Sequence, residues 1–318
     1  MFKKGAKQVA RKNKTKEKQI VLLIVAFIFI ILSILGIKYE QIEEFLNPTK
    51  SVINKVTAKE SENILLEGDD ILQIHFFDVG QADSILVISN NQTMLIDAGN
   101  NNDGELIVNN IKKLGISKLD YVIGTHPHED HIGGLDDVIL NFEIGTIYMP
   151  KVQTNTKTFE DVLDAISSKN LSITTPNVGD KFMVGNAECE VMLVGTVAKE
   201  EQENLNLSSI VIRTTYKEQS YLFMGDSETQ NESSRFWEQT NVLKVGHHGS
   251  STSSSKEFLN QVLPQMAIIS VGKDNSYGHP HKEVIDRLEK IGTLIYRTDE
   301  KSNILLESDG KNNKISFY

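Results

Sequence analysis

Only one cysteine, Cys189, occurs in 318 residues, so no internal disulfide can form and the fold must stand on its core alone. It sits in the strand-like stretch 187–194 and reads as a small buried hydrophobe rather than a nucleophile. No repeat at solenoid spacing is present, and the serine-rich 250–255 is too short for a linker. Basic residues are scarce beyond the first 38 positions. The chain has 33 basic and 43 acidic residues; setting aside the eight basic and one acidic residues of 1–18, and Lys38, leaves 24 against 42, a formal charge of −18. This balance weighs against a protein that holds nucleic acid on a broad basic surface. It does not exclude an enzyme whose metal ions supply the positive field.

Residues 19–37 carry no charge, and at about 1.5 Å per residue they match the hydrocarbon core of a bilayer. Lys3, Lys4, Lys7, Arg11, Lys12, Lys14, Lys16 and Lys18 precede the run, whereas Glu40, Glu43 and Glu44 follow it beside Lys38. The positive-inside rule therefore predicts a basic cytoplasmic tail at 1–18, a transmembrane helix at 19–37 and the remainder outside the cell. A cleaved signal peptide fits less well, because the run outlasts a usual h-region and no small-x-small site precedes Lys38. The expected location is the cell membrane, single-pass, with the lipid bilayer as the partner of 19–37. No protein partner is inferable.

Residues 38–70 are polar, with Pro48 and weak helical periodicity, and read as a stalk. From Ile71 the pattern changes to short β-branched and aromatic runs separated by turn residues. Strands are predicted at 71–77, 84–88, 93–96, 119–124 and 146–149, then at 188–194, 209–216, 221–224, 242–245, 267–271, 294–296, 304–307 and 314–317. Helices are predicted at 104–114, 132–140, 229–238, 256–263 and 282–291. Alternation of this kind over 71–318 implies one α/β domain with a sheet-based core.

His126-Pro127-His128-Glu129-Asp130-His131-Ile132-Gly133-Gly134 places three imidazoles and the Asp130 carboxylate within six positions, directly after an apolar strand. A strand delivers His126 and His128 on alternate positions facing one way, while Pro127 keeps its predecessor out of the helical region. Asp130 and His131 then open the following helix. The cluster thus offers one pair of ligands to one ion and a second pair to another, in the chemistry that zinc, manganese or iron accepts with a position open to water.

These residues resemble the signature of the metallo-β-lactamase superfamily. Leu95-Ile96-Asp97-Ala98-Gly99 resembles its first motif, in which the Asp supports the metal loop from behind; an Asx turn is the ordinary alternative. Tyr221-Leu222-Phe223-Met224-Gly225-Asp226 resembles the strand whose Asp bridges both ions, although Asp226 could instead cap a helix. The run ending in His247-His248-Gly249-Ser250 resembles the source of the last histidine ligand. The likeness covers 71–318 and implies an α/β fold, a metallo-β-lactamase-like αββα sandwich preceded by one transmembrane helix, with two divalent metal ions, Zn or Mn, as cofactors. Within that superfamily, His75 to Ser84, the His247-His248-Gly249-Ser250 turn and Ser276-Tyr277-Gly278-His279-Pro280-His281 are similar to the extracellular hydrolase domain of ComEC-type competence proteins. Ala82 departs from the usual Gln-Gly-Asp. One apolar span in place of a polytopic channel keeps the likeness from extending to DNA transport.

The resemblance implies His126, His128, Asp130, His131, Asp226 and His247 as metal ligands. At most one of the two adjacent histidines is expected to bind metal; His247 is favoured because it leaves the strand first, with His248 as an orienter or substrate contact. None of the eight histidines lies between His131 and His247, where many family members supply a third imidazole to the first ion. Water, or an amide or hydroxyl from 204–209, would take that place, and Asn206 and Ser208 are the candidates, against ordinary turn polarity. More oxygen ligands move the preference toward manganese. Asp83 and Gln81 are candidates to buttress the metal loop, Asp78 belongs to the same motif, and His281 is either a site residue or merely exposed. His75 and Trp237 are assigned to packing. Asp130, His248 and His279 are the candidates for the chemistry itself, His279 as a loop residue reaching the substrate. Two ions of this kind activate a hydroxide near neutral pH and stabilise the leaving oxygen. The expected function is a membrane-anchored extracellular phosphodiesterase or nuclease, with a phosphodiester, DNA among the candidates, as substrate. An envelope-polymer phosphodiesterase for teichoic acid or phosphocholine esters, a lactam or lactone hydrolase, and a non-catalytic binding module with a structural metal are the alternatives. The ligand-poor first position argues against the last, since structural zinc sites are closed by four protein ligands.

Overall fold

Alternation along the apolar runs decides the architecture, because successive strand side chains face opposite sides of a sheet. The computed structural model describes residue 66 and residues 70–152, 154–197 and 204–318. Residues 19–37, read above as an anchor, and nearly all of the stalk lie outside the described residues. Among the described residues no helix is long and apolar enough to cross a membrane. In β1 (Leu72–Phe76), β2 (Ile85–Ser89) and β3 (Gln92–Ile96), Ile74, Phe76, Val87, Met94 and Ile96 enter one apolar layer, while Leu86 and Leu95 enter another. In β9 (Ile210–Tyr216) and β10 (Gln219–Phe223), Ile210, Ile212, Tyr221 and Phe223 meet that first layer from the other side, and Val211 and Leu222 face away.

Two sheets therefore pack face to face. One has eight strands: β1 to β3 with β4 (Lys118–Ile123), β5 (Glu143–Tyr148), β6 (Ile173–Thr174), β14 (Ile304–Ser308) and β15 (Asn313–Phe317), in the order β15-β14-β1-β2-β3-β4-β5-β6. The other has seven: β7 (Lys181–Val184), β8 (Ala187–Val194), β9, β10, β11 (Val242–Lys244), β12 (Met266–Ile269) and β13 (Leu294–Arg297), in the order β13-β12-β11-β10-β9-β8-β7. Helices Gly104–Lys113, Leu135–Asn141 and Lys157–Ser168 cover the first sheet with Ile107, Ile111, Val138 and Val162. Helices Lys256–Val262 and Lys282–Lys290 cover the second with Phe258, Leu259, Val284 and Leu288. The result is an αββα sandwich. Strands β3 to β6 and β10 to β13 are parallel within their sheets, and their C-terminal ends carry the residues of interest, as expected for open parallel sheets.

The structure differs from the sequence reading in several elements. The helix expected at 132–140 is broken into Glu129–Ile132 and Leu135–Asn141 at Gly133-Gly134. A Cβ on Gly133 would lie 2.3 Å from the backbone of Asn100 and Asn101, and one on Gly134 2.5 Å from the Ala98 carbonyl. The metal loop thus packs backbone to backbone against 98–101. The helix expected at 229–238 ends at Ser233, because the chain turns to bury Trp237 edge-on against Phe258 with its indole N–H donating to the Glu232 carbonyl. Helix Lys157–Ser168 was not anticipated, although Thr156 caps it and Phe159, Val162 and Ile166 lie on one face. The edge strands β6 and β7 were also missed, being too short for a clear period.

Candidate metal centre

Asp97 ends β3 with a positive φ of 58°, which turns its carboxylate back toward the end of β4. There it accepts the Thr125 backbone N–H at 2.8 Å and hydroxyl at 2.7 Å, and lies 2.7 Å from His131 Nδ1. The fixed Thr125 leads into His126 and His128, whose Nε2 and Nδ1 atoms come within 3.0 Å of each other. Helix Glu129–Ile132 then carries Asp130 and His131. Its position is held by Ala98 N–H donating to the His131 carbonyl and Gly133 N–H to the Gly99 carbonyl.

The second sheet supplies Asp226, after β10, and the adjacent His247 and His248, after β11. Asp226 is the hub. Its Oδ1 lies 3.2 Å from His131 Nε2 and 3.6 Å from His248 Nε2, and its Oδ2 lies 4.0 Å from His126 Nε2 and 3.7 Å from His247 Nε2. Asp130 Oδ2 completes a four-residue group with His131, Asp226 and His248, at 3.7 Å and 3.3 Å from the two imidazoles. His248, not the favoured His247, is therefore the member of this group, because both residues adopt left-handed backbone (φ 49° and 50°) and the turn sends the two rings to different sides.

Ion binding fits the chemistry of these atoms. His131 Nε2, His248 Nε2 and Asp226 Oδ1 are buried and satisfied by no hydrogen bond, yet they converge. Two imidazoles and two carboxylates suit zinc, manganese or iron. On the other side of Asp226, His126 Nε2 lies 4.0 Å from Oδ2 and 3.0 Å from His128 Nδ1, a looser arrangement than the four-residue group. Without ions, burial works against charge on His131 but Asp226, Asp130 and Asp97 overcome it and hold its pKa well above the ordinary 6.5. Burial also opposes charge on Asp226, and the cationic His131 and His248 keep its carboxyl well below the usual range. For His126, burial wins and the ring is held neutral.

Other residues named from sequence serve the site at one remove. Asp83 donates its backbone N–H to the Asp130 carbonyl, and its side chain meets buried Lys244 at 2.8 Å and His248 Nδ1 at 3.6 Å. Gln81 does not touch the metal loop; it accepts the Gly272 N–H and places its amide nitrogen 3.2 Å from His279 Nδ1. Asp78 accepts the Gly80 N–H in a local turn, and Ser208 spends its hydroxyl on the Leu205 carbonyl, so neither reaches the cluster. Asn206 lines the cleft with a buried, unpartnered Oδ1. His281 accepts the Ser251 N–H and donates its own backbone N–H to the Gly249 carbonyl, a clasp between two loops. His75 stacks on Phe77 and bonds Tyr318, as packing requires. Three contributors went unnoticed in the sequence: Thr125, Lys244 and Glu228, whose carboxylate meets Asn204, Asn206, Thr252 and His247. The Gly-Asp-Ser-Glu order offered a signal for Glu228; a lysine at the end of an apolar strand offered one for Lys244.

The site opens into a cleft of about 470 Å³ whose rim includes Gln81, Asn100, Glu129, Tyr277 and His279. A family model described as the metallo-beta-lactamase superfamily matches residues 77–273. ComE operon protein 3 of Bacillus subtilis is 29% identical over 77% of this chain and 34% of its own length. Recombination protein 2 of Haemophilus influenzae is 30% identical over 71% of the chain and 27% of its own length, and Competence protein ComA of Neisseria gonorrhoeae is 29% identical over 70% and 30%. The chain therefore spans about a third of the length of these relatives. The crystal structure of the metallo-beta-lactamase fold protein YhfI from Bacillus subtilis superposes with a TM-score of 0.50 at 14% identity, over 76% of this chain and 100% of that one, a likeness of fold. The match runs from the Asp78 loop through the strand ends that carry Asp97, His126, Asp226 and His248, and on it the chain belongs to the metallo-beta-lactamase superfamily as a metal-dependent hydrolase related to competence proteins.

Proposed function

We propose that the chain is a two-metal phosphodiesterase with DNA as its leading substrate, carried outside the cell on an anchor at 19–37. The observation that supports it most is a carboxylate, Asp226, whose two oxygens face imidazoles on two sides at the floor of a cleft lined, among the described residues, by no aliphatic side chain and by no lysine or arginine. A charged phosphodiester finds imidazoles there, the amides of Gln81, Asn100 and Asn206, and the field of the ions. The names of the competence and recombination relatives point the same way.

His126, His128 and Asp226 would hold one ion and Asp130, His131, His248 and Asp226 the other. Bound there, the ions would supply Lewis acidity and an activated water at neutral pH. Asp97 fixes the His131 ring with Nε2 free, and the Ser270 carbonyl does the same for His248 at 2.9 Å. Because Gln81 Oε1 accepts the Gly272 N–H, its amide nitrogen donates to His279 Nδ1, so a neutral His279 carries its proton on Nε2. Burial, with His247, His248 and His281 nearby, pushes the His279 pKa down to about 4. His279 thus enters the reaction as a neutral hydrogen-bond donor to developing negative charge.

The test is a panel on the full-length protein, stripped and then loaded with manganese or zinc: bis-p-nitrophenyl phosphate, single-stranded and duplex DNA, and nitrocefin. Metal-dependent phosphodiester cleavage, lost together with bound metal in Asp226→Asn and His131→Ala, is expected. Turnover of nitrocefin alone would sink the phosphodiester reading. Protease added to intact cells should release the part beyond residue 38, and complete protection would reverse the orientation.

A further inference from the structure

Three rings rise from the cleft floor to its rim in nearly parallel planes: His248, then His279 with 6.5 Å between centroids and 20° between planes, then Tyr277 at 5.6 Å and 23°. The column begins at a member of the four-residue ligand group and ends in solvent, for Tyr277 is 67% exposed. One face of the Tyr277 ring lies against His279, and the other is open to the cleft it lines. The geometry points to Tyr277 as the residue that stacks on an unpaired nucleobase beside the phosphate being cleaved, and so selects single-stranded over duplex nucleic acid. This inference rests on the phosphodiester reading above and specifies the form of that substrate.

The loop that carries Tyr277 is fixed from within. Asn275 Oδ1 accepts the backbone N–H groups of Tyr277 and His279 at 3.2 Å and 3.0 Å, and its amide nitrogen donates to the Gly272 and His279 carbonyls at 2.9 Å and 2.6 Å. Gly278, with φ 73°, makes the turn between the two rings, and the Gln81 amide holds the His279 ring at 3.2 Å. Tyr277 thus rests on an anchored ring, which leaves little ordering to be done when a base arrives. Charge favours a base as the occupant. Among the described residues no lysine or arginine lines the cleft, so a strand finds no cations for its phosphates beyond the ions themselves. Stacking on base faces supplies affinity of another kind, tolerant of sequence. A duplex keeps each base between its neighbours and offers no such face. A trimethylammonium ester would call for a cage of several aromatic rings, and beside its imidazoles the described cleft has only the Tyr277 ring.

Fluorescence anisotropy with manganese-loaded, full-length protein tests the assignment on three labelled phosphorothioate probes: a single-stranded oligonucleotide, the same sequence as a duplex, and an oligomer of tetrahydrofuran spacers with the same phosphates and no bases. Tyr277→Ala should keep its metal and weaken the single strand by about 5- to 100-fold. Tyr277→Phe, which keeps the ring face, should restore binding to within about threefold of wild type. Neither variant should change binding of the duplex or of the baseless oligomer. On the cleavable single strand, Tyr277→Ala should raise KM far more than it lowers kcat. An equal loss on the baseless oligomer would show that Tyr277 acts on the backbone, and failure of Tyr277→Phe to restore binding would show that the hydroxyl acts; either result, or wild-type binding by Tyr277→Ala, would overturn the assignment. A wild-type protein that binds and cleaves none of the nucleic acids would overturn the phosphodiester reading itself, and the assignment with it.

Discussion

At the scale of single residues, His279 and His131 show how burial assigns roles. His279 contacts Gln81 and packs beside the rings of Tyr277, His247 and His281 but faces no carboxylate at ligand distance, so His279→Ala should keep full metal content and lose about 10² to 10³ in kcat. Elemental analysis beside turnover checks this; loss of metal would make His279 a ligand, and unchanged turnover would make it an ordinary loop residue. His131 gives a pH dependence. Its folded pKa is raised, so the stability it contributes to the metal-free fold is complete below the ordinary 6.5 and fades as pH rises through the raised value. His248 shifts the same way, while His126 and His128, with lowered values, are neutral in both states above 6.5 and add nothing there. Metal-free protein should therefore lose Tm as pH rises from 6.5 through the raised value, and ion-loaded protein should not. Calorimetry of both forms across that window is the measurement, and parallel curves would refute it.

At the scale of elements, the Gly133-Gly134 break is the most exposed feature. Gly133→Ala forces a Cβ to within 2.3 Å of backbone atoms that cannot swing aside, so we expect a loss of about 2 to 3 kcal/mol in urea unfolding and a parallel loss of metal, since the same helix carries Asp130 and His131. Wild-type stability in that variant would show that the contact yields. This break also marks what a sequence discloses. The six-position His/Asp cluster was legible because all its members lie in one turn of chain, and Asp97 and Asp226 because each ends an apolar run. The choice between His247 and His248 was not, because it depends on the sign of φ at two residues. Glu228, Lys244 and the Ser270 carbonyl acquire meaning only across the space between strands, and a backbone carbonyl leaves no mark in sequence at all. The strands long enough to alternate were found nearly in place, whereas β6, with two residues, gave no period to read.

At the scale of the whole molecule, charge sets the terms of binding. The part beyond residue 38 has a formal charge of −18 and its cleft has no lysine or arginine among the described residues, while buried Lys244 is engaged by Asp83. Affinity for a single-stranded oligonucleotide should therefore require bound metal and fall with salt at a log–log slope no steeper than about −2, two or three phosphates at about −0.7 each. A steep slope, or tight binding by the metal-free protein, would reveal a basic track elsewhere. The division of ligands between the sheets has a consequence in time. A ribosome releases His126 to His131 about a hundred residues before Asp226, His247 and His248, so the growing chain holds half a site while the second sheet is still unmade. The ligand set is therefore complete only once residue 248 has been made, and the site comes together only when strands of both sheets are present to hold it.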